Sequence, residues 1–119
     1  MQQLNSVHLR GIVGYARTYE HLGVRLCRLN LATSVVYRLP DGDCICDTIW
    51  TDVELHGGKG MPDLDAIAKD TRLEVKGHLK NSRYTDRNGV ERTEFGVVAH
   101  EAMILPQDEP MTFEIREDK

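Results

Sequence analysis

Apolar and polar residues alternate with a period of two along most of the chain, so its segments can bury one face only as strands of a sheet. Val7, Leu9, Gly11 and Val13 alternate with His8, Arg10 and Ile12, in a strand expected to continue past Gly14. A second strand is expected from about Val24 to Ser34, but its phase slips: Val24 and Leu26 share one parity, Cys27, Leu29 and Leu31 the other. A bulge or sharp bend absorbs such a slip. Leu39-Pro40-Asp41-Gly42-Asp43 signals a turn, so the third strand, about Cys46–His56, returns as a hairpin. Ile49, Thr51, Val53 and Leu55 are its expected core face; Trp50, Asp52, Glu54 and His56 face water.

Gly57-Gly58-Lys59-Gly60 breaks that strand, and Leu64, Ile67 and Ala68 at helical spacing predict a short helix over Pro62–Lys69. The fourth strand spans Arg72–Tyr84, with Leu73, Val75, Gly77 and Leu79 pointing inward. Asp86-Arg87-Asn88-Gly89 supplies hairpin-turn residues. The last strand runs from about Val90 to Leu105, and Pro106 ends it. This order predicts an all-β fold: a five-stranded OB-fold Greek-key barrel with a short helix between strands 3 and 4 and extended β-hairpins. Other small barrels stay open on pattern alone. Residues 1–105 form the expected domain, and 106–119 a short acidic C-terminal tail, polar and loose, in which Met111, Phe113 and Ile115 could form a short strand.

With 119 residues, 40% hydrophobic and 29% charged, the chain can bury one core and is too apolar for a disordered segment. No apolar run approaches the roughly 18–20 residues that span a bilayer. The start, Met1-Gln2-Gln3-Leu4-Asn5, has neither the basic nor the apolar stretch of an export signal, so a cytoplasmic location and no membrane partner are expected. Cys27, Cys44 and Cys46 cannot close a disulfide framework and read as reduced thiols. Cys44-x-Cys46 lacks a second ligand pair and the five histidines are scattered, so no metal and no cofactor are expected. Nor is an enzyme. His56-Gly57-Gly58-Lys59-Gly60 lacks phosphate-loop spacing, and Asp63 and Asp65 sit where helix capping explains them.

The net charge of −4 is concentrated at the end: residues 106–119 carry five acids and two bases, which leaves 1–105 near neutral. Within Arg72–Arg92 six bases face three acids. Because fields act over roughly 8–10 Å in salt, such a stripe can hold phosphates on an acidic protein. Trp50 on the polar face of its strand is either covered by another strand or subunit, or it is a platform on which unpaired bases stack. Tyr37-Arg38 and Arg83-Tyr84 put further aromatics beside cations on the hairpins, the interleaving that sequence-tolerant single-strand binding needs.

Asn5-Ser6-Val7-His8-Leu9-Arg10-Gly11-Ile12-Val13-Gly14 resembles the opening strand of bacterial single-stranded DNA-binding proteins. Leu29-Asn30-Leu31-Ala32-Thr33-Ser34 is similar to that family's second strand, and Thr48-Ile49-Trp50 with Val53 and Leu55 to its third. Arg83-Tyr84-Thr85-Asp86 with Asn88-Gly89 resembles its last hairpin. The matches come in the right order over about residues 5–105. The resemblance implies stacking of bases on Tyr37, Trp50, His56 (where the family has phenylalanine) and Tyr84. Arg10, Lys76, Lys80, Arg83 and Arg87 are expected to neutralise phosphates. It also implies a homo-oligomer, most often a tetramer, with a dimer possible.

Two departures stand out. Asp52 and Glu54 share the Trp50 face, where carboxylates oppose phosphate unless Lys76, Lys80 or Arg10 pairs with them. The family's Gly/Pro/Gln-rich linker and acidic tip are missing before Lys119, as expected of a tail-less paralogue or of a core domain alone, which leaves replication and repair partners open. The expected function is sequence-independent binding and protection of single-stranded DNA during replication, recombination or repair. The alternative is an OB-fold protein–protein module of a primosomal, replication-restart assembly with weak DNA affinity.

Overall fold

The first two strands meet in a two-residue turn. Leu22 and Gly23 both have positive φ, 52° and 79°, the conformation that matches the twist of a tight hairpin. Around this turn the computed structural model, which describes residues 1–117, places β1 (Val7–His21) and β2 (Val24–Arg38). Asp118 and Lys119 of the expected tail lie outside the described residues. β3 (Cys44–His56), β4 (Arg72–Thr85) and β5 (Glu91–Ile104) follow, then a four-residue β6 (Glu114–Glu117). The sheet runs β1-β4-β5-β3-β2-β6, and pairing of β1 with β2 closes the first five strands into the OB-fold barrel.

Inside, the alternation works as expected. Val13, Leu29, Leu31, Leu55, Leu73 and Val75 are at most 1% exposed and, with Cys27, Val53, Val97 and Ala99, make one aliphatic core. Each such side chain is worth roughly 1.5–3 kcal/mol on burial. Two expected core residues are not in it: Ile49 and Leu79 are exposed. Their parity is right, but β2–β3 and β4–β5 run on as arms beyond the barrel, where that face has nothing to cover it. β2 extends to Arg38 rather than Ser34, in unbroken register with β3 from Leu26↔His56 to Arg38↔Cys44.

The expected slip therefore lies elsewhere. It falls in β1, where Gly14 is the extra residue between the pairs Val13↔Leu31 and Tyr15↔Asn30. Leu26 is simply buried on the opposite face from Cys27. A second slip in β5 leaves His100 unpaired between Lys76↔Glu101 and Gly77↔Ala99.

The expected helix over Pro62–Lys69 shrinks to a single 3-10 turn, Leu64–Ala66. Asp63 Oδ1 accepts from the Asp65 amide, and Ile67 already has an extended backbone (ψ 120°), so one turn forms and stops. What matters there is Leu64 and Ile67, buried at 4% each as a plug of the barrel. The tail is more ordered than its composition suggests. The Arg72 guanidinium donates to the Glu109 carbonyl, Gln107 to the Asp70 carbonyl, and β6 pairs in parallel with Val35–Arg38 of β2. Of the three apolar tail residues, only Ile115 lies in that strand.

Candidate nucleic-acid interface

All seven aromatic residues lie outside the buried core. Aromatics offer the largest hydrophobic gain on burial, so a core built without them leaves their faces for another use. Trp50 is 58% exposed on the outer face of β3, opposite Ala32, which answers the question of whether another strand covers it. Its ring edge rests over Gly14: a Cβ added there would stand 2.4 Å from a ring carbon. The bulge that Gly14 forms also turns Tyr15, 54% exposed, to the same outer face, where the Asn30 Oδ1 accepts from the Tyr15 amide at 2.8 Å.

Across from this three-stranded face stands the β4–β5 arm. Between them runs an open groove of ≈ 350 Å³, walled by Tyr15, Arg28, Asp52 and Glu54 on one side and by Lys80, Ser82, Glu94 and Phe95 on the other. Phe95 is 62% exposed. Trp50 sits two residues from Asp52 on the same face, at the rim. Flat rings thus line one path across the strands, with Arg28 and Lys80 between the carboxylates of Asp52, Glu54 and Glu94. Exposed rings of this kind suit an extended polymer with unstacked bases.

No family model matches the chain. Among curated proteins, the single-stranded DNA-binding protein of Thermosynechococcus vestitus is 39% identical over 94 residues, 76% of this chain and 72% of that protein. The chain belongs to the single-stranded DNA-binding protein family. The family member from Xanthomonas axonopodis pv. citri is 30% identical over 104 residues, and there the match spans 86% of this chain but 58% of the relative. Two solved structures share the fold. The Plasmodium falciparum SSB complex with ssDNA has a TM-score of 0.76 at 18% identity, covering 89% of this chain and 98% of that one. A deletion mutant of the single-stranded DNA binding protein from Thermus aquaticus has a TM-score of 0.72 at 22% identity, covering 88% and 52%.

In this family member the aromatics named from sequence do not share one surface. Trp50 and His56 lie on the outer face of β3, and His56 stands 3.7 Å from Glu54. Tyr37 carries the parity of Leu29 and Leu31, so it is on the opposite face of the β2–β3 arm. There it is half-buried in a cleft with Ile49, Phe113 and Arg116. Tyr84 is on the outer face of the β4–β5 arm, and its hydroxyl donates to Glu94 at 3.0 Å, which raises the phenol pKa.

The cations divide as well. Arg10 is taken up by Glu74 at 2.6 Å, and Lys76 stands 3.8 Å from Glu101. The Glu74 carboxyl is held below the usual range by hydrogen bonds from His8 and then Arg10. Lys80, Arg83 and Arg87 have no ion pair among the described residues. Glu54 does not pair with Lys76, Lys80 or Arg10 as expected. Arg28, directly opposite on β2, is its partner at 3.8 Å, together with His56.

Sequence reading missed Tyr15, Arg28 and Phe95. Strict alternation puts Tyr15 inside with Val13, and only the Gly14 bulge reverses it. Phe95 shares the parity of buried Val97 and Ala99 but lies past the barrel's edge. The Gly beside each of them, Gly14 and Gly96, was the available signal. Two of the five histidines scattered in sequence meet in space: His78 and His100 touch.

Proposed function

We propose that this chain binds single-stranded DNA without regard to sequence and protects it during replication, recombination or repair, as a binding protein and not an enzyme. The observation that carries the reading is the core built without aromatics, which leaves Trp50, Tyr15, Phe95 and Tyr84 exposed on a surface that also holds Lys80, Arg83 and Arg87, cations with no ion pair among the described residues. Bases stack on Trp50, with Tyr15 and Phe95 continuing the path and His56 and Tyr84 at its margins, while Tyr37 lies on the other face of the β2–β3 arm. Each stacked base is worth about 1–3 kcal/mol. Lys80, Arg83 and Arg87 meet phosphates first, while Arg10 and Lys76 must leave Glu74 and Glu101 to do so. Family membership and the neighbour solved with ssDNA support the same ligand.

The primosomal alternative drew on the acids beside Trp50. Arg28 and His56 flank Glu54, which leaves Asp52 and Glu94 as the opposing charges along the groove and weakens that reading. The working form is a homo-oligomer, a tetramer before a dimer. Family membership supports this, as do apolar residues left in water on the arms, Ile45, Ile49 and Leu79 among them. A cytoplasmic setting belongs to the same reading, supported by the three free thiols.

Trp50 is the sole tryptophan, so its fluorescence reports the interface directly. Adding poly-dT at low salt quenches it, and raising the salt restores it. An unchanged signal with excess oligonucleotide at low salt overturns the proposal. Native mass measured alongside the titration gives the assembly.

A further inference from the structure

A pair of imidazoles stands on the outer face of the β4–β5 ladder, outside the groove. His78 Nδ1 lies 2.6 Å from His100 Nε2, with ring centroids 4.8 Å apart and planes inclined by 59°. The pair exists because of the β5 bulge. His100 is the residue with no partner on β4, and bulges re-aim side chains in this way. Regular pairing sets Val98, not His100, opposite His78.

We propose that His78 and His100 form a two-imidazole site for a divalent transition-metal ion. Nitrogen ligands bind zinc at about 2.0–2.1 Å, so two of them on one tetrahedral ion stand roughly 3.3 Å apart. The present spacing needs to open by only several tenths of an ångström, within reach of two side chains on a partly exposed surface. The tilt between the rings lets both lone pairs turn toward one point beside the line that joins them. One ring now donates its proton to the other. On binding, that proton moves to the donor ring's second nitrogen, and both facing nitrogens become ligands with no change in charge.

On the same strand Lys76 and Lys80 flank His78 at two residues on either side, and Lys76 stands 3.8 Å from Glu101. Among the described residues no group of three or more metal-ligating side chains converges. Water or a ligand anion therefore completes the coordination sphere, and the site is open and exchangeable rather than structural.

Calorimetric titration of the full chain with zinc chloride tests this, in a Cys44→Ser/Cys46→Ser background so that the exposed thiols do not compete. One ion per chain is expected, bound at least roughly tenfold more weakly after either His78→Gln or His100→Gln. In proton NMR of the parent, the ring signals of these two histidines shift with zinc while those of His8, His21 and His56 stay. A melting curve for each variant shows that the fold is kept. Equal affinity in either variant, or equal shifts at all five histidines, overturns the proposal. Neither result bears on DNA binding, which the Trp50 titration reads separately.

Discussion

One glycine governs the local geometry of the proposed stacking face. Gly14 leaves the space that the Trp50 ring occupies, and its bulge turns Tyr15 outward beside Asn30. Replacing Gly14 with alanine puts a methyl 2.4 Å from the ring and 2.6 Å from the Asn30 Oδ1. The ring tip is free to tilt, but the hydrogen bond from the Tyr15 amide is not free to follow. The expected result is a loss of about 0.5–1.5 kcal/mol in a denaturant melt, with a shifted Trp50 emission. Trp50→Ala removes the platform itself, and affinity for oligo-dT falls by roughly 5- to 150-fold, the equivalent of one stacked base. Tyr37→Ala costs less in the same binding assay, because that ring already faces Phe113 and Arg116 of the tail. Equal losses at Trp50 and Tyr37 would place the DNA on both faces of the β2–β3 arm.

The arms are the elements that separate this molecule from a bare barrel, and the tip of the β4–β5 arm is held by one carboxylate. Asp86 accepts from the amides of Asn88 and Val90 and from the Arg92 side chain at 2.7–3.0 Å. These bonds, the one from Arg92 foremost, lower its pKa from the ordinary 3.8. A carboxylate whose folded pKa is depressed stabilises the folded form above its unfolded pKa, and that contribution fades as pH falls through the folded value. Amide exchange at Asn88 and Val90 is therefore expected to be slow near neutrality and to lose protection below about pH 4. Asp86→Asn should show the fast pattern at both. The element scale is also where the sequence was most and least legible. Alternation located all five barrel strands and, within the barrel, the inward faces of β1, β3 and β4, because burial acts on every second residue. It assigned no face to β5 and put in β2 a slip that belongs to β1. It failed at Ile49, Leu79, Tyr15 and Phe95 for two reasons. Nothing in the pattern marks where a strand leaves the barrel, and one extra residue reverses every side chain after it. It also overextended the helix, since Leu64 and Ile67 fill the barrel end equally well from a single turn.

For the whole molecule, net charge says little about binding, because half of the described lysines and arginines are already committed to acids. Arg10, Arg28, Lys76 and Arg92 each stand within 4 Å of a carboxylate, whereas among the described residues Lys80, Arg83 and Arg87 have none so close. A phosphate contact made by a free cation releases a counterion at once. One made by a paired cation must first give up its carboxylate, so its contribution is partly cancelled. Single-strand binding loses affinity with salt at a slope of about −0.7 per phosphate neutralised. Replacing Lys80, Arg83 and Arg87 with glutamine should then flatten the plot of log affinity against log salt by about 2. The double substitution Arg10→Gln and Lys76→Gln should flatten it by clearly less than about 0.7 per residue. If both sets change the slope equally per residue, the ion pairs give way to DNA without cost, and the phosphate path extends over the β1–β4 face as well as along the arm.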